Sequence, residues 1–246
     1  MVIGRKLLIS DVKVPKEATV KIQPFVLTQH PNLAVIVALI IASWAETEAR
    51  LDSIFLALTK DEARLAQFKE LKGWDRRVEY MSAALKDTAG ERAAATVRAV
   101  LNVVSKAAKK RNEVAHGLWA ICEGEPSQLA LFTSDAYTHA TRSAIEAEAV
   151  GSARMNSPHE IFFSKARIVN EIHLQKAWEE CEESRNLLHS FWTDELPEIV
   201  KVNRHIPAAK AIEHIEVAER IKNAERDIRR REKEDAKKQR ADRSVD

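Results

Sequence analysis

In this 246-residue chain the reactive side chains that stand out lie in the run Arg111-Asn112-Glu113-Val114-Ala115-His116-Gly117. Arginine keeps its charge throughout the physiological range and presents a rigid fork of N–H donors that matches phosphate or carboxylate oxygens. Histidine exchanges protons near neutrality, so it can act as base or acid. Together the two could hold an anionic group and move a proton beside it, with Asn112 orienting the anion or the imidazole. Spacing alone selects nothing. Arg154 and His159 share it, Arg167 and His173 stand one residue further apart, and chance supplies about two such pairs in a chain of this composition. The distinguishing features of 111–117 are the asparagine directly after the arginine, the Ala-His-Gly ending and the amphipathic run leading in.

A helix from about Glu91 to His116 must position these groups. Val97, Val100, Leu101, Val104 and Ala108 recur at steps of three and four, one apolar stripe of a helix. Arg111, seven residues after Val104, falls about 20° off that stripe. A core-building face therefore ends in a guanidinium, which must reach a partner, a subunit interface or an anionic ligand. On an ideal helix Arg111 and His116 stand about 140° apart around the axis and roughly 7.5 Å along it. Convergence on one group requires the helix to end near His116, or a second subunit to complete the site. Gly117 is the expected stop, as a glycine that takes the left-handed conformation cheaply.

The surrounding elements read as mainly helical. Residues 1–31 form an N-terminal extended segment, with Val12, Val14, Val20, Ile22 and Val26 punctuated by Pro15, Pro24 and Pro31. Pro31 can open a long helix from about Asn32 to Leu58. Thr59 is the expected cap of a second helical region, interrupted at Gly73-Trp74 and running to about Leu85. After Gly117, Leu118–Cys122 and Leu129–Phe132 flank Glu123-Gly124-Glu125-Pro126-Ser127 as a β-hairpin at about 118–132. An irregular or mixed insertion is expected over 133–160, a strand over Ile161–Val169, and a last core helix with Leu174, Ala177, Trp178, Cys181, Leu188, Phe191 and Trp192 on its apolar side. Residues 196–246 read as a linker bracketed by Pro197 and Pro207, then a charged helical tail. In that tail Val217, Ile221, Ala224 and Ile228 step by four, three and four. Such a helix is expected to be solvated or transiently docked, with a coiled-coil or partner contact as the alternative.

Composition excludes several classes. The apolar fraction of 45% supports a sizeable core. The 6 glycines include no pair spaced as a phosphate-cradling loop, so Walker and Rossmann nucleotide sites drop out. Cys122 and Cys181 stand far apart, without metal or disulfide spacing, as expected of a reducing cytoplasmic compartment. No metal-ligand cluster or cofactor motif is recognisable, and neither a metal nor a cofactor is expected. The apolar N-terminal stretch is too short for a signal peptide. The run Leu33–Ala45 falls short of a bilayer span and meets Glu46 and Glu48 at once, so a buried core helix is expected rather than a membrane segment. Net charge is only +2, and basic residues are in excess from Glu219 onward, so any basic surface on the main body is local.

The run Arg111-Asn112…His116 with its lead-in helix resembles the signature of HEPN domains, helical bundles that are often dimeric. The resemblance covers roughly residues 32–195: a long first helix with Trp44 and Glu48, an intermediate helical region, the motif helix and a terminal helix. It implies an HEPN-like helical domain with the β-hairpin inserted after the motif helix, and metal-independent RNA cleavage of the kind many members perform. Arg111 and His116 then take the catalytic positions and Asn112 the supporting polar one. The position six before the arginine, acidic in some members, is Ser105 here. In that setting Arg111 would stabilise a phosphorane-like transition state while His116 moves a proton to or from the ribose 2′-hydroxyl or leaving oxygen. The internal nucleophile restricts cleavage to RNA, with 2′,3′-cyclic phosphate and 5′-hydroxyl ends. The resemblance also implies a homodimer and a toxin–antitoxin or phage-defence setting, with an antitoxin or other protein contacting the C-terminal helix.

Lys106, Lys109 and Lys110, just before the motif, could attract RNA phosphates, and Trp119 could stack a base. Their ordinary roles are a solvated helix face and a hairpin tryptophan covering the core. Arg185-Asn186-Leu187-Leu188-His189 repeats the Arg-Asn opening one residue short and reads as a decoy. Glu48 reads as a surface carboxylate. The alternative to the nuclease is a non-catalytic helical RNA-binding or protein-interaction module.

Overall fold

The computed structural model describes residues 9–15, 18, 20–22, 25–123, 127–150, 166–195 and 214–242. These residues form seven α-helices and one four-stranded antiparallel sheet. The helices are α1 (Pro31–Thr59), α2 (Glu62–Glu70), α3 (Trp74–Ala89), α4 (Glu91–His116), α5 (Ser134–Val150), α6 (Glu171–Ser190) and α7 (Ile215–Asp242). The strands are β1 (Val20–Ile22), β2 (Leu118–Cys122), β3 (Leu129–Phe132) and β4 (Arg167–Val169), in spatial order β1-β2-β3-β4. A π-helical turn, Phe191–Glu195, follows α6.

The chain divides into two compact units, Met1–Ala45 with Lys106–Glu182, and Glu46–Ser105 with Glu183–Asp246. They interleave along the chain and cut across the linear segments 1–31, 32–195 and 196–246.

In the first unit the hairpin is no isolated insertion. β2 and β3 pair from Leu118↔Phe132 to Ile121↔Leu129, and each also pairs outward, β2 with β1 and β3 with β4. A two-stranded ribbon is marginal alone, and the added strands satisfy its edges. The N-terminal segment supplies β1 at one edge; at the other, Ile168 N–H donates to the Val12 carbonyl at 2.8 Å and Lys13 bridges Arg167. Val14 is buried with Ala120, Cys122, Ala130, Phe132 and Ile168, so this segment covers one face of the sheet. All of β3 is buried, which explains its continuous apolar run.

α1 starts at Pro31, where a missing N–H costs nothing. It is long and apolar enough to cross a bilayer, with mean hydropathy 1.4 over its most apolar window. Leu33, Ile36, Val37, Ile40 and Trp44 are buried while Val35, Leu39 and Ile41 are exposed, so one face of the helix meets the core.

In the second unit Phe55 and Phe68 stack with ring centroids 4.7 Å apart, and Tyr80 joins Phe55 at 5.9 Å. The indole N–H of Trp74 donates to the Leu101 carbonyl at 3.2 Å, which meets the polar need of a buried tryptophan.

Three expectations need correction. Thr59 does not cap the second helix: its hydroxyl donates back to the Phe55 carbonyl, and Asp61 caps α2 by accepting from Arg64 N–H at 3.0 Å. Trp192 does not join the buried side of the last core helix but is exposed in the π-helical turn after it, while the insertion expected as irregular or mixed opens with α5, which Thr133 caps by accepting from Ala136 N–H at 3.1 Å. The charged tail is docked rather than solvated on all sides: Val217 and Ile228 are buried, and Arg231 pairs with Glu91 at 2.8 Å. Residues 151–160, most of the strand expected over 161–169 and the linker at 197–207 lie outside the described residues.

Candidate functional site

α4 ends as expected, and its last two turns carry the motif. The buried series Val97, Val100, Leu101, Val104, Ala107 and Ala108 leads directly to it. Arg111 is half-buried, and its Nη1 donates to the Asn112 side-chain carbonyl at 3.0 Å. Its Nε is sealed from solvent and finds no acceptor among the described residues. A buried N–H left without a partner costs about 1–3 kcal/mol, and a guanidinium makes that cost larger. The charge of Arg111 reaches Cys181 on α6, where with Lys110 it draws the thiol pKa down. Burial and the carboxylates of Glu180 and Glu182 prevail and hold that pKa up at about 12.

His116, the last residue of α4, is exposed. Because α4 stays regular to its end, Arg111 and His116 diverge by about 140° within one chain. The structure hydrogen-bonds Arg111 to Asn112, and the helix sets His116 one turn beyond Asn112 but well round the axis from Arg111. Glu113 ties the motif to the N-terminal segment, its Oε2 accepting from Ile9 N–H at 3.0 Å.

The flanking candidates separate. Lys110 is mostly buried and held by Glu180 at 2.5 Å, so it is not an exposed cation. Lys109 is half-buried and Lys106 exposed. Trp119 is half-buried, with its indole N–H donating to the Val114 carbonyl at 3.3 Å. It thereby satisfies a carbonyl of the last helical turn, a group otherwise left open there.

Gly117 serves a different purpose from the one expected. Among the described residues the glycines with positive φ are Gly73 and Gly90, not Gly117. At 117 an added Cβ would sit 2.5 Å from Leu131 Cδ1 and also against the Glu113 carbonyl. Glycine lets the end of the motif helix press onto β3. Gly117→Ala is therefore expected to cost about 1–3 kcal/mol by overpacking, read as a lower denaturation midpoint in urea with little change in slope.

The second Arg-Asn segment belongs to a compact ionic knot. Glu46 Oε1 accepts from Arg50 (Nη2 at 2.5 Å, Nε at 3.2 Å), and Oε2 accepts from Arg185 Nη1 at 3.0 Å. Arg50 Nη1 also contacts His189 Nδ1. The two guanidinium groups, Arg50 first, hold the Glu46 carboxyl below its usual pKa. The four-residue spacings Glu46–Arg50 and Arg185–His189, each one face of a helix, are the sequence signal for this grouping. Glu48 pairs with Arg77 at 3.2 Å. Among the described residues no three His, Cys, Asp or Glu side chains group as metal ligands would.

Comparison with known proteins adds no relative: no family model matches the chain, and neither a curated protein nor a solved structure resembles it detectably.

Proposed function

We propose that the chain is a metal-independent endoribonuclease of HEPN type, acting as a homodimer whose cleft combines Arg111 of one copy with His116 of the other. The observation that carries this reading is the Arg111 guanidinium, held by Asn112 at 3.0 Å with its Nε–H buried and lacking an acceptor among the described residues. A scissile phosphate would be met by the Nη edge of the guanidinium, which unlike the sealed Nε is not cut off from solvent. His116, exposed at the helix end, is open to a substrate or a second copy. One helix cannot turn both groups onto one phosphate, and a two-fold axis can, because each copy then offers what the other needs.

α1 favours pairing. Its exposed Val35, Ala38, Leu39 and Ala42 lie in one stripe, opposite the face buried in the core. A second copy is a suitable cover for such a face.

In the reaction His116 takes the proton of the ribose 2′-hydroxyl as that oxygen attacks phosphorus, or returns one to the departing 5′-oxygen. Arg111 neutralises charge on the non-bridging oxygens. The P–O5′ bond breaks, leaving a 2′,3′-cyclic phosphate and a 5′-hydroxyl. Lys106 and Lys109 add attraction for the backbone on the approach.

The experiment is cleavage of RNAs, tRNA included, in excess EDTA, with end-group analysis. Cyclic phosphate ends, and no cutting where a 2′-deoxyribose precedes the scissile bond, are the expected results. An inert wild type on varied RNAs would favour the second reading, a non-catalytic helical binding module. What favours that second reading is the 140° divergence itself.

A further inference from the structure

The exposed side of α7 carries a row of cations that nothing in the motif explains. Lys222, Arg226, Arg229, Arg230 and Lys233 are all exposed. At 100° per residue they occupy an arc about 100° wide and run about 16 Å along the axis. The opposite arc holds Val217 and Ile228, both buried, so docking of α7 fixes the row outward. Arg231 faces sideways to Glu91 and is not part of the row. Among the described residues no carboxylate pairs with Lys222, Arg226, Arg229 or Lys233, and Arg230 has only a long contact with Asp227 at 3.7 Å. Five like charges at spacings of three and four repel one another, and such repulsion is relieved by a polyanion.

The flanks identify which polyanion. Glu225 and Glu232 line one edge of the row, and Asp227 and Glu234 the other. A flat anionic surface would meet those carboxylates together with the cations. A membrane also needs an apolar face to insert, and that of α7 is spent inside the protein. A protein interface would call for an apolar or aromatic centre, and the row has none. A single strand of nucleic acid meets every condition: its phosphates follow a narrow ridge, and three of the five cations are arginines able to fork onto phosphate oxygens.

We infer that the exposed basic row of α7 binds the phosphate backbone of single-stranded nucleic acid without regard to sequence. This goes beyond the nuclease reading and stands without it. Under that reading the row would hold the RNA while the motif cuts it.

The test measures binding of the full chain to oligothymidylate across a salt series. That probe lacks a 2′-hydroxyl, so binding is read apart from cleavage. For K222Q/R226Q/R229Q/K233Q the slope of log affinity against log salt is expected to become shallower by about 3, at roughly 0.7 for each phosphate no longer neutralised. Affinity at low salt is expected to fall about tenfold or more, while far-UV circular dichroism stays unchanged. The charge-preserving K222R/R226K/R229K/K233R is expected to keep both slope and affinity. Should the glutamine variant fail to fold, Arg226→Gln alone is expected to flatten the slope by about 0.7. An unchanged slope in a folded glutamine variant would overturn the inference. So would equal loss in the charge-preserving variant, or binding to phosphatidylserine vesicles but not to oligothymidylate.

Discussion

His116→Ala is expected to lower RNA cleavage in EDTA by about 10²–10⁴-fold, the usual contribution of a positioned general acid or base. Arg111→Ala is expected to lower it by about 10²–10³-fold, the effect of removing one transition-state donor. The two losses should not multiply in the double variant, since they act on one chemical step. Neither change should unfold the protein. His116 is exposed at a helix terminus, where truncation opens no cavity. Removing Arg111 takes away a buried donor that has no acceptor among the described residues, which relieves a cost rather than creating one. Cleavage rates beside urea denaturation curves check both halves. Activity that survives His116→Ala with the same end groups would remove the imidazole from the mechanism.

The second large effect concerns Cys181. Its thiol, fully buried on α6, is held at a pKa of about 12, chiefly by burial and then by Glu180 and Glu182. The thiolate is the species that reacts with alkylating reagents. Against the ordinary value of 9.0, the shift reduces the thiolate population near neutral pH by about 10³-fold. Iodoacetamide should therefore modify Cys181 about 10³-fold more slowly in the native protein than in urea, read by mass spectrometry of the tryptic peptide. Native labelling at the rate of a free thiol would contradict the burial. The same shift sets a sign with pH. Between about 9 and 12 the unfolded chain has released the Cys181 proton and the folded chain has not, so stability falls as pH rises through that window. Below 9 the thiol is neutral in both states and this contribution vanishes.

Much of the fold is legible because periodicity is local. The stripe Val97–Ala108 bounds α4, the apolar run after Pro31 marks α1, and the six residues between Cys122 and Leu129 mark the hairpin turn. What escapes depends on partners distant in sequence. β1 holds its place only because β2 lies beside it, with Val20 opposite Cys122. α7 packs through Val217 and Ile228, too few apolar residues to announce docking before the surface that receives them is known. At the candidate site the residue types and the helix terminus are readable, but Gly117 reads locally as a left-handed turn. Its constraint is the Glu113 backbone carbonyl one turn earlier together with Leu131, and the second, fourteen positions away, is invisible to any local rule. The link between Glu113 and Ile9 is of the same kind. The Arg185–His189 segment is one residue short as a copy of the motif, yet that spacing puts its arginine and histidine on one helix face beside Glu46 and Arg50.

The most direct measurement is complementation between two inactive chains. Purified Arg111→Ala and His116→Ala proteins are mixed, allowed to exchange subunits, and assayed on RNA in EDTA. If one copy supplies the guanidinium and the other the imidazole, each mixed dimer regains one intact site. Activity should then return to about a quarter of the wild-type level from components inert on their own. A mixture that exchanges subunits and stays inert would contradict the shared cleft.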